Sequence, residues 1–201
     1  MNSIPFAFCD AVASTLIKII PLDNANFAEH SLWRSAFADH HRNRITLSLW
    51  VTFNDGNWFY SLEKKIFTSL GVLGVPVDLE KVYKARGKYV HLKYLKFGNS
   101  DYGTASSFDE IRSILKILRP CVRSTGLVLF RTGAPKKTIA DLLSPFSSAQ
   151  FCRICLFHYE EAFGDFLRKL KKYGSLQAFT NCDISEPGIE LRKEFGSFES
   201  L

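Results

Sequence analysis

Near the start of the chain apolar side chains recur every fourth residue: Phe8, Val12 and Leu16 fall on one helical stripe. Ile4-Pro5 opens that segment, and a proline suits a first helical turn, where its missing N–H costs nothing. Beyond Pro21 a second periodic stretch carries Phe27, Leu32, Trp33, Ala36 and Phe37, so residues 1–43 are expected to form a helical segment. The period then drops to two. Ile45 to Phe53 runs into Asn54-Asp55-Gly56, and Trp58 to Leu62 follows, which predicts a β-hairpin over 45–63. Residues 64–88 hold Gly71, Gly74 and Pro76, with a short basic helix expected near Leu79–Ala85.

From about residue 89 strand and helix patterns alternate. Tyr89 to Phe97 precedes a helix with Phe108, Ile111, Leu115 and Leu118, and Gly126 to Phe130 precedes one with Ile139, Leu142, Leu143 and Phe146. Phe151 to Phe157 precedes a helix with Phe163, Phe166, Leu167 and Leu170, and a last run spans Leu176 to Ile184. The steps Phe130 to Phe157 and Phe157 to Ile184 are 27 residues each, and Phe97 to Phe130 is 33. The expectation is an α/β domain over 44–201. Its short parallel strand–helix repeats would form either a leucine-rich-repeat-like solenoid or a small open sheet. Alternation within Phe151–Phe157 sends Cys152, Ile154 and Leu156 one way, and Phe151, Arg153, Cys155 and Phe157 the other. An unpaired charge is costly to bury, so Arg153 should mark the open side, with Val128 and Phe130 near it. These three are the candidate substrate-binding residues.

Composition narrows the class. Hydrophobic residues make up 46% of the 201, enough for a core, and 18 Phe against one Met point to bulky aromatic packing. Lys+Arg at 26 against Asp+Glu at 20 leaves a mildly basic +6. The five cysteines sit within apolar stretches, which argues against a secreted disulfide framework and for free thiols in the cytoplasm or nucleus. No basic, apolar leader opens the chain, and no apolar run is long enough to span a membrane.

Candidate chemistry thins out on inspection. Cys152-Arg-Ile-Cys155 matches C-x-x-C, but residues three apart on a strand diverge and no second ligand pair completes a tetrahedral metal site. Gly133-Ala-Pro-Lys-Lys-Thr138 sits where a phosphate loop would. It lacks the glycine before its Lys-Thr pair, and Pro135 removes an N–H. His40 and His41 are adjacent and do not converge on a helix, while His30, His91 and His158 are scattered. No nucleophile or acid–base constellation emerges, so the expectation is a non-catalytic interaction module with no cofactor, metal or small-molecule ligand. Lys81, Lys84, Arg86, Lys88, Lys93 and Lys96, interleaved with Tyr89 and Tyr94, leave a nucleic-acid-binding 81–96 face as the alternative.

Residues 4–37 resemble an F-box: Ile4-Pro5, Phe8, Val12, Leu16 and Trp33 fall where that motif places its opening Leu-Pro, its spaced aliphatics and its tryptophan. The whole chain is similar to nematode F-box-like families, which begin Met-Xaa-Ser-Ile/Val-Pro-Phe and carry a Leu-Trp…His-Xaa-Asn-Arg stretch, here Leu32-Trp33 and His41-Arg42-Asn43-Arg44. The run Leu176–Ile184 also resembles a leucine-rich repeat, Asn181-Cys182 included. The resemblance implies that Ile4, Pro5, Phe8, Val12, Leu16 and Trp33 bind a Skp1-like adaptor, and that the repeats offer an unknown protein substrate to an SCF-type ubiquitin ligase. An interaction protein without adaptor binding is the remaining alternative.

Overall fold

A computed structural model describes residues 6–16, 31–68, 71–84, 89–122 and 125–196. Two helices, α1 (Phe6–Leu16) and α2 (Ser31–Asn43), precede the hairpin β1 (Ile45–Asn54) and β2 (Asn57–Thr68). Next come β3 (Gly71–Pro76), α3 (Leu79–Lys84), β4 (Val90–Gly98), β5 (Thr104–Ser106) and α4 (Phe108–Leu118). The chain continues through β6 (Thr125–Leu129), α5 (Lys136–Leu143), β7 (Phe151–Leu156), α6 (Glu161–Lys172), β8 (Phe179–Asn181) and α7 (Glu186–Phe195). The expected α/β class is what forms, around one sheet ordered β3-β2-β1-β4-β6-β7-β8.

The hairpin forms at the expected place. Asp55 and Gly56 take φ of +48° and +83°, the left-handed pair that a type I′ turn needs, and Leu49 pairs with Leu62 across it. The less patterned stretch supplies β3, which pairs antiparallel with the far half of β2, while β5 takes the near half of the same edge. Pro76 is tolerated there because an edge strand can spare an N–H.

From β1 through β8 neighbouring strands are parallel, in the order β1, β4, β6, β7, β8. Two of these strands carry an extra residue. Leu47 pairs with Leu92 but Ser48 pairs with Tyr94, so Lys93 is bulged out, and Thr125–Gly126 face Phe151 and Arg153, so Cys152 is. The bulges put Leu92, Leu95 and Phe97 on one side, and likewise Phe151, Ile154 and Leu156, all fully buried. This corrects strict alternation for Phe151, which lies in the core with its ring 6.3 Å from Phe166. It also corrects the repeat frame: Phe97 pairs with Leu129, so Gly98, not Phe97, is the counterpart of Phe130. The last run is shorter than expected, with β8 covering Phe179–Asn181, and α7 adds a final helix.

The loops after the parallel strands are braced by acidic side chains from the next unit. Glu160 accepts from the backbone of Thr132 (2.7 Å) and Gly133 (3.1 Å) and from the Thr132 hydroxyl (2.8 Å). The N–H groups that might have cradled a phosphate beside Lys136 therefore already hold a carboxylate. Asp183 repeats the device one unit on, accepting from the Tyr159 N–H and from the Ser185 N–H at 2.6 Å.

The first two helices stand apart from this body. Cys9, Ala13, Ala36 and Phe37 form their own small core, with Trp33 against it and the His40 imidazole 3.0 Å from the Asp10 carboxylate. They meet the body near the end of α2, where the Tyr89 hydroxyl donates to Asp39 and Arg44 donates to His91 at 3.3 Å.

Burial alone would raise the Asp183 carboxyl, but hydrogen bonds from Ser185 and Tyr159 outweigh it and hold the group below the ordinary aspartate range. A depressed carboxyl contributes stability that is full above its unfolded value and lost as pH falls through its folded value. Asp183→Asn should therefore lower Tm at pH 7 by about 4–12 °C, from roughly 2–3 kcal/mol of charged hydrogen bonding in a chain of this size. The gap between wild type and variant should close as pH falls below about 4. Thermal melts from pH 7 to pH 3 check both parts.

Candidate functional site

Helices α3 to α7 bury their apolar sides against one face of the sheet, in a core that includes Leu49, Leu95, Leu127, Ile154 and Leu167. No helix among the described residues packs its buried side chains on the opposite face. Residues at the alternate positions of the strands therefore define an open face. β1 contributes Ser48, Trp50 and Thr52, and β2 contributes Ser61, Glu63 and Lys65. β4 places Tyr94, Lys96 and Gly98 there, and β6 and β7 follow with Gly126, Val128, Arg153 and Cys155.

An aromatic row crosses this face. Tyr102 lies 6.1 Å from Trp50, Trp50 6.4 Å from Phe130, and Phe130 stacks on Phe157 at 4.7 Å with the rings 13° apart. Trp50 and Phe130 meet over Gly98 of β4, at ordinary contact distance from where a Cβ would stand. Lys96 places its ammonium 5.1 Å from the Trp50 ring centre and 5.8 Å from that of Tyr94, and Lys93 reaches the Tyr94 ring at 5.4 Å.

Between β2, β1 and β4 the face dips into an open pocket of about 180 Å³. It is lined by Ser48 and Trp50 of β1, Ser61, Glu63 and Lys65 of β2, Lys96 of β4, and Tyr102. Glu63 is fully engaged: the Lys65 ammonium at 2.7 Å holds its carboxyl below the ordinary range against the pull of burial, and Tyr102 donates at 3.0 Å. Ser48 is 6% exposed and its hydroxyl has no hydrogen-bond partner among the described residues; the Trp50 indole nitrogen and the Thr52 hydroxyl, on the same side of β1, have none there either.

The candidate substrate residues fall together on this face. Arg153 is exposed, has no ion-pair partner among the described residues, and stands across from Gly126, with Val128 and Phe130 one and two positions up the neighbouring strand pair. The adaptor candidates lie elsewhere. Phe8, 54% exposed, meets the half-buried Trp33 edge-on at 6.1 Å, and Val12 is half-buried on the same helix. Ile4 and Pro5 lie outside the described residues, as does the Leu16 side chain.

The described residues of the basic 81–96 cluster fall on different sides of the molecule. Lys81 sits on α3, whose Val82 packs into the core on the covered side, and Tyr89 is buried against α2; Lys93 and Lys96 face the open side. Arg86, Lys88 and the Lys84 side chain lie outside the described residues. Burial pushes the Cys155 thiol up, with Arg153 opposing, which disfavours the reactive thiolate. Among the described residues no three His, Cys, Asp or Glu side chains gather as a metal would require, and no helix is long and apolar enough to cross a membrane.

No family profile, curated protein or solved structure matches this chain.

The pocket residues Ser48, Trp50 and Tyr102 escaped sequence reasoning, though Trp50 left a trace. In Ile45–Asn54 the large apolar side chains occupy every second position, and Trp50 alone falls on the polar alternate. A large aromatic out of phase on a half-buried strand signals a covered or ligand-facing spot.

Arg153→Glu should leave stability within about 1 kcal/mol of wild type, as expected of an exposed side chain without an ion-pair partner among the described residues. Urea unfolding midpoints at equal slope check this.

Proposed function

We propose that this chain is a non-catalytic substrate-recognition subunit of an SCF-type ubiquitin ligase. Its α1–α2 pair would bind a Skp1-type adaptor, and the open face of its sheet would hold the substrate protein. The observation that carries the reading is the separation of the two parts. α1 and α2 have a core of their own and leave Phe8 and Leu32 54% and 42% exposed, where helices serving as an end cap would sink such side chains into the body. The F-box resemblance of residues 4–37 supports the same division. All five cysteines are free thiols, in keeping with work in the cytoplasm or nucleus.

A second reading, nucleic acid on the open face, draws on Tyr94 flanked by Lys93 and Lys96. Such binding would weaken steeply as salt rises.

Phe8→Ala with Leu32→Ala should abolish co-purification with a Skp1-type adaptor while Tm shifts by less than about 4 °C, since surface truncations cost little. Retained adaptor binding in the folded double variant overturns the reading, and so does a wild-type chain that captures no adaptor.

A further inference from the structure

Ser48, Trp50 and Thr52 are successive open-side residues of one strand, and the side-chain polar atom of each is buried without a hydrogen-bond partner among the described residues. Ser48 and Thr52 are 6% and 1% exposed. Folded proteins pair the large majority of such groups, because an unpaired buried donor costs free energy that an apolar residue would not. Two of the three, Ser48 and Trp50, line the pocket, and Ser48 beside Lys96 calls for a partner there.

The rest of the pocket specifies its chemistry. Its one carboxylate, Glu63, is consumed by Lys65 at 2.7 Å, Tyr102 at 3.0 Å and Ser61 at 3.4 Å. Lys96 has no carboxylate within ion-pair distance among the described residues and rests over the Trp50 and Tyr94 rings. What remains on offer is a hydroxyl and an ammonium, so the complement is an anionic acceptor. The volume, about 180 Å³, is below the roughly 300–1,000 Å³ of ordinary small-molecule sites and suits one side chain. Farther along the same face Arg153 adds a second cation without an ion-pair partner among the described residues, and Glu63 is the single acidic residue among the open-side strand positions named above. Beyond the pocket the Phe130–Phe157 pair offers an apolar track. Those two rings already stack on each other, and Trp50 is hemmed in by Lys96, Tyr102 and Phe130, which leaves few free ring faces for nucleic-acid bases.

We propose that this pocket takes a carboxylate side chain from an acidic segment of the substrate protein, with Ser48 and Lys96 as its donors and apolar neighbours of that side chain lying along Phe130 and Phe157. The proposal rests on the reading of the open face as the substrate surface.

The probe is a fluorescein-labelled peptide alternating glutamate with leucine, compared with its glutamine counterpart and with a labelled twelve-nucleotide oligouridine, using the full chain. The glutamate peptide should bind at least tenfold more tightly than the glutamine one. Lys96→Met should weaken it tenfold or more and Ser48→Ala about fivefold, with the glutamine peptide unaffected. Ser48→Ala should leave Tm unchanged or raise it, because the hydroxyl it removes has no partner among the described residues. Failure of the glutamate peptide to bind, equal binding of the glutamine peptide, full binding by Lys96→Met, a lowered Tm for Ser48→Ala, or tighter binding of oligouridine each overturns the proposal. Adaptor co-purification is scored on the same preparation. Peptide binding without adaptor capture overturns the ligase reading and leaves the pocket standing, and adaptor capture without peptide binding does the reverse.

Discussion

Every parallel strand of this sheet is followed in sequence order by a neighbour, and no reversal of order occurs from β1 to β8. In that topology the connecting helices all lie on one side, because a crossover that steps always in one direction with one hand returns always over the same face. The covered side gains a continuous apolar core from Leu47 to Phe195. The other side is left to whatever its side chains can do alone, and the aromatic row, the pocket and the unpaired polar atoms of β1 all follow from that asymmetry. A doubly covered sheet would have buried apolar residues at those positions and shown no such face.

Local geometry serves the same constraint. One extra residue in β4 and one in β7 keep Leu95, Phe97, Ile154 and Leu156 over the helices while returning Tyr94, Lys96, Arg153 and Cys155 to the open side. The loops at the ends of the strands are then tied from unit to unit by Glu160 and Asp183. Phe130 and Phe157 stack because the parallel pairing of β6 and β7 sets them side by side, with the Phe157 N–H donating to the Leu129 carbonyl at 2.8 Å.

Much of this was legible in the chain. The period-two stretch around Asp55-Gly56 announced the hairpin, and the alternating patterns after residue 89 announced the helices α4, α5 and α6 on the covered side. The bulges were harder, since strict alternation predicts a single parity per strand. Yet apolar spacing of three then two in Leu92, Leu95, Phe97 recurs in Phe151, Ile154, Leu156, and that shared rhythm is the bulge written in sequence. Arg153, Val128 and Phe130 were placed together on charge and repeat position alone. The pocket was not, because Ser48, Glu63, Lys96 and Tyr102 come from three strands and a loop that only pairing register brings together.

Hydroxyl-radical footprinting of the full chain, alone and with the glutamate–leucine peptide, reads whether the open face of the sheet is accessible in the free chain and covered once the proposed partner segment binds. Tyr94, Tyr102 and Phe157 are exposed while Phe97, Phe146 and Phe163 are fully buried, so the first three should be oxidised in the free chain and the last three spared. Adding the peptide should protect the exposed three and leave Tyr173, exposed at the end of α6, as reactive as before. Tyr94 and Phe157 as unreactive as Phe97 in the free chain, or unprotected when the peptide is bound, would contradict the account.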